Sequence, residues 1–440
     1  MAEEQQEFPI FQHQIQRTGK DQNMFFALSC SQETPLARVA PRSIKINERF
    51  GTASPIVAID FVDVDGKLVN DTQLSKDATY YLDIGNDVHE NTRLRLSISR
   101  VSFANQAGGE SRNVKFTVNF VHVSWPNMIN RRYNRSWKNK SFDQIVSNII
   151  DRNYEDSSVM PTDGIQETII QPHWTNIGFL KWIAQRAATA NSKKSHIEFG
   201  TKTDGEFFFK SIGDIIDENI DDINSNKLMT FKMQGAELNE AKKKEEDEKN
   251  NQKDIKAPTY FITYVGNERY MDGVTSGAGG LETKWYDFAS GQYVTAVNTV
   301  SGSDFTQLTD WVGVKRSHQN TFKLAQQGSQ SRWGYDISSN HLSNIINSLQ
   351  QFDVSLEGAP FVHIGDMVEL IIPAPRNDTQ ENEDEVLFSE YYSGFYIIGG
   401  ADHVVNLAKN VMNSSLTLTR SGFDGKNLDG YTKTTKGRFI

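Results

Sequence analysis

The stretch "RRYNRSWKNKSFDQIVSNIID", residues 131–151, changes its period halfway along. Its first ten residues carry five basic side chains, interleaved with Tyr133 and Trp137. Its second half sets Phe142, Ile145, Val146, Ile149 and Ile150 at the spacing of one helix face. Ser141 followed three residues later by Gln144 has the form of a capping box, in which two side chains satisfy backbone N–H groups that a helix start leaves orphaned. A strand edge is therefore predicted to hand over to a helix at Ser141. The cation and aromatic alternation also resembles a surface on which single-stranded nucleic acid stacks. One such run, without repeats, favours arginine stems packed on aromatic faces at a domain joint.

Upstream of this switch the strand signal dominates. "IVAIDFVDVDGKLV" (56–69) is rich in β-branched residues and breaks at Asp65-Gly66, a turn dipeptide. "TRLRLSISRVSF" (92–103) alternates Leu94, Leu96 and Ile98 with Arg93, Arg95 and Ser97, and "NVKFTVNFVHVSW" (113–125) sends Val114, Phe116, Val118 and Phe120 to one side. Short strands so closely spaced predict a barrel or sandwich. Downstream, "HWTNIGFLKWIAQRAA" (173–188) predicts a second helix through Leu180, Ile183, Ala184 and Ala187, capped by Thr175 or Asn176. "SHIEFGTKTDGEFFFK" (195–210) predicts a hairpin about Asp204-Gly205. Residues 136–225 thus read as a small α/β domain. "LNEAKKKEEDEKNNQKDIK" (238–256), with six lysines and six acids, reads as a solvated insertion between strands. The Gly/Ser/Thr-rich region 265–340 has no assignable pattern; a helix is predicted at 341–350, after which "FDVSLEG", "DMVELIIP", "GFYIIGG" and "SSLTLTRSG" return to strand.

The chain has 440 residues, enough for about three domains at roughly 100 to 200 residues each. Hydrophobic residues at 37% supply a sizeable core. The single cysteine, Cys30, cannot form an internal disulfide, and the N-terminus lacks the basic start and apolar core of a signal peptide, so synthesis and folding in a reducing cytoplasm are expected. No apolar run is long enough to span a bilayer as a helix. A net charge of −10 argues against a whole-chain nucleic-acid binder, whose phosphate contacts require surplus lysine and arginine.

Catalytic patterns are missing. The phosphate loop, G-x-S-x-G and H-E-x-x-H do not occur. "DVDG" (63–66) lacks the further ligands of a calcium loop and reads as a turn. "GAGG" (277–280) reads as a loop, without the strand-then-helix setting of a phosphate cradle. Asp214, Asp217, Glu218, Asp221 and Asp222, or Glu381, Glu383, Asp384 and Glu385, could supply a glycosidase pair, but a solvated acidic face fits their setting better. Trp285, Trp311 and Trp333 could stack on sugars, though such residues more often fill cores or interfaces. No cofactor, metal or catalytic residue is expected.

Three blocks in order, "FTVNFVHVSWPNMINRRYNRSWKNKSFDQIVSNII", "IIQPHWTNIGFLKWIAQRAATANSKKSHIEFG" and "SLEGAPFVHIGDMVELIIP" with "YYSGFYIIGGADHVV" and "SSLTLTRSGF", make the chain similar to the central baseplate hub of contractile bacteriophage tails, a family shared with the hub portion of type VI secretion spike proteins. The family's helix opening is matched by Ser141, Asp143, Ile145 and Val146, and its polar-aromatic helix entry by Trp174, Asn176, Phe179 and Leu180. Gly365, Asp366 and Val368 match a late G-D-x-V, and Leu416, Leu418 and Arg420 the last strand. The stretch 238–340 matches nothing in the family, and any cell-wall hydrolase or spike tip is expected on a separate chain. The resemblance implies an α+β, β-rich fold: a first tube-like β-barrel in 1–135, the small α/β domain in 136–225, a second β-barrel with its insertion in 226–425, and a tail in 426–440. It further implies a homotrimer forming a pseudo-six-fold ring, with tail tube protein, central spike protein and baseplate wedge proteins as partners, genomic DNA in transient passage, and no stable membrane insertion. The expected location is the virion, after assembly in the host cytoplasm. Interface or joint candidates are Arg132, Arg135, Trp137, Ser141, Asp143, Trp174, Phe179, Gly365, Asp366 and Arg420. The rival readings are a tail-tip peptidoglycan hydrolase and a receptor-binding adhesin.

Overall fold

A computed structural model describes residues 7–15, 23–63, 77–86, 92–104, 114–190, 197–219, 221–222, 228–233, 259–265, 281–287, 292–298, 318–319, 324–326, 350–357, 362–372 and 393–420. The N-terminal strands are β1 (Phe8–Ile15), β2 (Met24–Cys30), β3 (Ala40–Arg49), β4 (Ile56–Asp63), β5 (Tyr80–Asn86), β6 (Thr92–Ala104) and β7 (Val114–His122). They pair antiparallel in the order β1-β2-β5-β6-β7-β4-β3. The alternation read from the sequence sets which side chains face in: Leu94, Leu96, Phe116, Val118 and Phe120 are buried in one cluster with Ile44, Ile59 and Phe61. Burying each such side chain contributes about 1.5–3 kcal/mol. Phe61 stacks on Phe116 at 5.5 Å between centroids. The turn expected at Asp65-Gly66 lies outside the described residues.

Next come β8 (Arg132–Ser141), helix α1 (Phe142–Ile150), β9 (Ser157–Val159), β10 (Ile165–Thr175), helix α2 (Asn176–Ala184), β11 (Ile197–Thr201), β12 (Phe207–Ser211) and the short helix α3 (Ile212–Glu218). Strand gives way to helix at Ser141, whose backbone N–H donates to Gln144 Oε1 at 3.3 Å. All five apolar residues of the α1 stripe are buried. β8 and β10 form a two-stranded antiparallel ribbon, Trp137 opposite Ile169 and Arg135 opposite Gln171. The second helix opens at the expected cap, Thr175, and stops at Ala184, one turn short of Ala187. His173 has φ 54°, the ribbon register shifts between Pro172 and Trp174, and Thr175 Oγ1 caps α2 by accepting from the Gly178 N–H at 3.2 Å. β11 and β12 make the expected hairpin, with Gly205 at φ 92°, a left-handed conformation suited to glycine. α1, α2 and the strands β10, β11 and β12 share a core that also takes in Ala53 and Met128, whereas Ile212, Ile215 and Ile216 of α3 pack with Leu228, Met367, Phe395 and Ile397.

The remaining strands are β13 (Met229–Met233), β14 (Thr259–Val265), β15 (Leu281–Asp287), β16 (Gln292–Asn298), β17 (His318–Gln319), β18 (Leu324–Gln326), β19 (Gln350–Glu357), β20 (Met367–Ile371), β21 (Gly394–Asn406) and β22 (Val411–Arg420). β3 pairs antiparallel with β21, so the N-terminal sheet runs on through β21-β20-β13-β14-β19-β22, and β22 pairs back onto β21. β13 is parallel to both β14 and β20, which makes this large sheet mixed and the fold β-rich. The β21–β22 hairpin serves two cores. Ile398, Leu416 and Leu418 pack with Phe231, Val354 and Tyr396, while Val405, Leu407 and Met412 complete the N-terminal cluster. In the region that had no assignable pattern, β15 pairs with β16, β17 and β18 in a separate sheet. Of the helix expected at 341–350, residues 341–349 lie outside the described residues and Gln350 opens β19.

Candidate functional site

Along β3 the buried positions fall at Ile44, Ile46 and Glu48, so alternation drives a carboxylate into the interior. A buried charge is tolerated only when paired and hydrogen-bonded. Glu48 is 0% exposed and accepts from the Thr203 N–H at 2.7 Å, the Ile364 N–H at 2.9 Å and the Thr203 hydroxyl, and meets His363 Nδ1 at 3.1 Å. Thr203 lies in the β11–β12 turn, and His363 and Ile364 precede β20. One side chain therefore clamps three separate parts of the chain.

The late G-D-x-V motif builds one arm of this clamp. Gly365 adopts φ 87°, and its N–H donates to Ile398 O at 2.8 Å. Asp366 Oδ2 accepts from the His363 N–H at 2.8 Å, closing the turn that aims His363 and Ile364 at Glu48. Burial favours a neutral Glu48, but the His363 charge and the hydrogen bonds from His363, Thr203 and Ile364 outweigh it and hold the carboxyl below its usual range. Burial would likewise lower His363; the Glu48 carboxylate, with Asp366 and Asp204, overrides this and pushes it up to about 9. Burial pushes the Asp366 carboxyl up, against the pull of His363 and Lys202. Close by, burial pushes His403 down, and its ring nitrogens are bonded to Ser414 Oγ at 2.8 Å and Val362 O at 2.9 Å.

The signs set a pH window for this joint. The His363 contribution is fully present below its ordinary value of 6.5 and is lost as pH rises through about 9. The Glu48 contribution is present above its ordinary value of 4.5 and is lost as pH falls through its lowered folded value. Thermal melts of the full chain should therefore drop as pH climbs from 7 to above about 9. In His363→Gln that alkaline decline should flatten.

Of the other candidates from the sequence, Trp137, Trp174 and Phe179 form a second group. Trp137 stacks on Phe179 at 5.4 Å and 11°, Phe179 stacks on Trp182 at 5.7 Å and 11°, and Trp174 meets Trp182 edge-on at 6.4 Å. Trp182, which sequence reasoning did not single out, is the hub of this set, and the Arg186 guanidinium lies 4.2 Å over its ring. The Arg135 guanidinium lies 3.8 Å over Tyr133, and its buried Nη1 has no acceptor among the described residues. Arg132 is exposed. Ser141 caps α1, while Asp143 is bound reciprocally to Thr162: the Asp143 N–H donates to Thr162 Oγ1 at 2.9 Å, and Asp143 Oδ1 accepts from the Thr162 N–H at 3.0 Å and hydroxyl at 2.6 Å. Arg420 stands apart from both groups, donating to Ser393 O at 2.8 Å over the Tyr396 ring.

The acidic cluster is not one solvated face. Asp214 is buried beside Ser211, whose Oγ accepts its N–H at 3.1 Å, and Glu218 pairs with Lys210 at 2.8 Å, while Asp221 and Asp222 are exposed. Glu381, Glu383, Asp384 and Glu385, together with Trp311, Trp333 and Gly277–Gly280, lie outside the described residues. A cavity of about 400 Å³ between α3 and β20 is lined by Phe208, Ile215, Met367 and Val368 with Lys202, Lys210, Glu218 and Asp366. Among the described residues no group of three His, Cys, Asp or Glu could hold a metal ion, and no helix is long and apolar enough to cross a membrane.

No family model and no curated protein matches the chain. Among solved structures it is similar to the 43 kDa tail protein of prophage MuSo2 from Shewanella oneidensis, with TM-score 0.52, 8% identity, and coverage of 87% of this chain and 95% of that one. It is also similar to a tail protein from Neisseria meningitidis MC58, with TM-score 0.50, 11% identity, and coverage of 91% and 97%. A likeness that spans nearly the whole of both partners at such low identity is a likeness of fold, and the fold of this chain is that of these two tail proteins.

Proposed function

We propose that the protein is a structural hub of a contractile phage tail: a homotrimer whose barrels line up as a pseudo-six-fold ring between the tail tube and the three-fold central spike. The observation that carries this reading is the sheet path. β21-β20-β13-β14-β19-β22 returns to β21, the pairing pattern of a six-stranded barrel. β1 to β7 surround their own core, and His13 of β1 reaches Asn410 at the β21–β22 turn at 2.7 Å, which supports a second, tube-like wall. On this reading residues 1–135 and 226–425 are the barrel domains, joined through β21, with the α/β unit 136–225 between them. Two such units per chain and three chains give six walls, the match that a hexameric tube requires. Tube, spike and baseplate wedge proteins are then the partners, and the acidic balance of the chain suits a lumen through which DNA slides without being held. The role is non-enzymatic and virion-borne.

Sedimentation and single-particle imaging of the full chain test this. The expected result is a trimer with a three-fold ring. A monomer that persists in the presence of tube and spike proteins would overturn it.

A further inference from the structure

Residues 131–140 hold five cations and no acid, in a chain of net charge −10; β10, across the ribbon, adds the single acid Glu167. Elsewhere cations lie beside carboxylates: Lys45 with Asp60, Arg93 with Glu7 and Asp83, Arg95 with Glu155, Lys210 with Glu218. Arg132, Lys138 and Lys140 are exposed on the outer face of β8 and, among the described residues, no carboxylate pairs with them. On the same face Ile170, 60% exposed, stands opposite Ser136, and exposed Pro172 stands opposite Asn134. Ile165, 72% exposed, lies at the ribbon's end. The sheet has only two strands, so each of these ten- and eleven-residue strands keeps one edge unpaired among the described residues.

This chemistry selects its occupant. Three cations among the five outward positions of β8 call for carboxylates, exposed Ile170 and Pro172 call for aliphatic contact, and a long ribbon with open edges suits an extended chain. Nucleic acid fits less well. Its bases need a free aromatic platform, but Trp137 is stacked on Phe179 and Tyr133 lies under Arg135. We propose that the outer face of the β8–β10 ribbon docks an extended acidic segment of another protein, its carboxylates on Arg132, Lys138 and Lys140 and its aliphatic side chains on Ile170 and Pro172. This surface is independent of whether the chain forms a trimer.

The test uses the full chain and a fluorescent peptide as long as β10 that alternates glutamate with valine, read by anisotropy. Controls are a peptide of the same composition in two blocks, a lysine–valine peptide and a single-stranded oligonucleotide. The alternating acidic peptide should bind saturably, weaken with salt, and lose about ten-fold or more in affinity in Lys138→Glu/Lys140→Glu and in Ile170→Asp. These side chains are exposed, so melting should stay unchanged. Absence of binding, equal binding of the block peptide, preference for the oligonucleotide, or indifference to the substitutions would each overturn the proposal. So would self-association of the chain that disappears in the same variants, which would make the face a contact between copies.

Discussion

Glu48→Ala should unfold in denaturant with a stability loss of about 3–5 kcal/mol, the cost of leaving a buried partner charge uncompensated. The substitution strips His363 of the carboxylate that keeps it protonated and leaves the Thr203 and Ile364 N–H groups without their acceptor. Glu48→Gln keeps the shape and one acceptor oxygen, so its loss should be smaller, about 1–3 kcal/mol. Adding His363→Ala to Glu48→Ala should recover part of the loss, because the isolated charge then disappears as well. If the single and double variants are equally destabilised, the ion pair is not what holds the joint.

Phe179→Ala should cost about 3–5 kcal/mol, in the range of buried aromatic truncations. Phe179 is fully buried and lies between Trp137 of β8 and Trp182 of its own helix, both rings nearly parallel to it. Its removal opens a gap at the centre of the stack that carries the inner face of the ribbon. Tryptophan emission should shift to the red as Trp137 and Trp182 become wetter, a readout that a loss elsewhere in the core would not give. Unchanged emission in a destabilised variant would mean that the stack is not the support of the ribbon.

What the residues revealed in advance depended on how local the cause was. β7 and α1 were legible because Phe116, Val118 and Phe120 repeat every second position and Ile145, Val146, Ile149 and Ile150 follow a helix turn, so each element carries its own pattern. The cap of α2 at Thr175 was legible, but its end was not: Ala187 keeps the helix-like spacing and is buried, yet the helix closes at Ala184, because spacing of apolar residues does not say where a helix stops. Asp214 looked like one of a row of surface acids until the Ser211 cap turned it inward. Gly365 and Asp366 were singled out, whereas their partner Glu48 was not. Its place after Ile44 and Ile46 on the apolar side of β3 was a signal in plain view, but His363 is 315 residues away, and no spacing rule links two such positions. The dual duty of β21–β22 was hidden for the same reason: a strand's pattern shows that one face is buried, not which cores receive its two ends.

That hairpin has a consequence for the order in which the molecule can be made. Asn47 and Arg49 on β3 both bond Asp402 on β21, a partner 355 residues further along for Asn47. While a ribosome is still reading the middle of the message, the N-terminal sheet has an open edge at β3 and a core that lacks Val405, Leu407 and Met412. Late-arriving strands of this kind make folding slow and leave a sticky edge exposed during synthesis. The chain cannot complete its first sheet before β21 and β22 have been made, so the two sheet regions commit together.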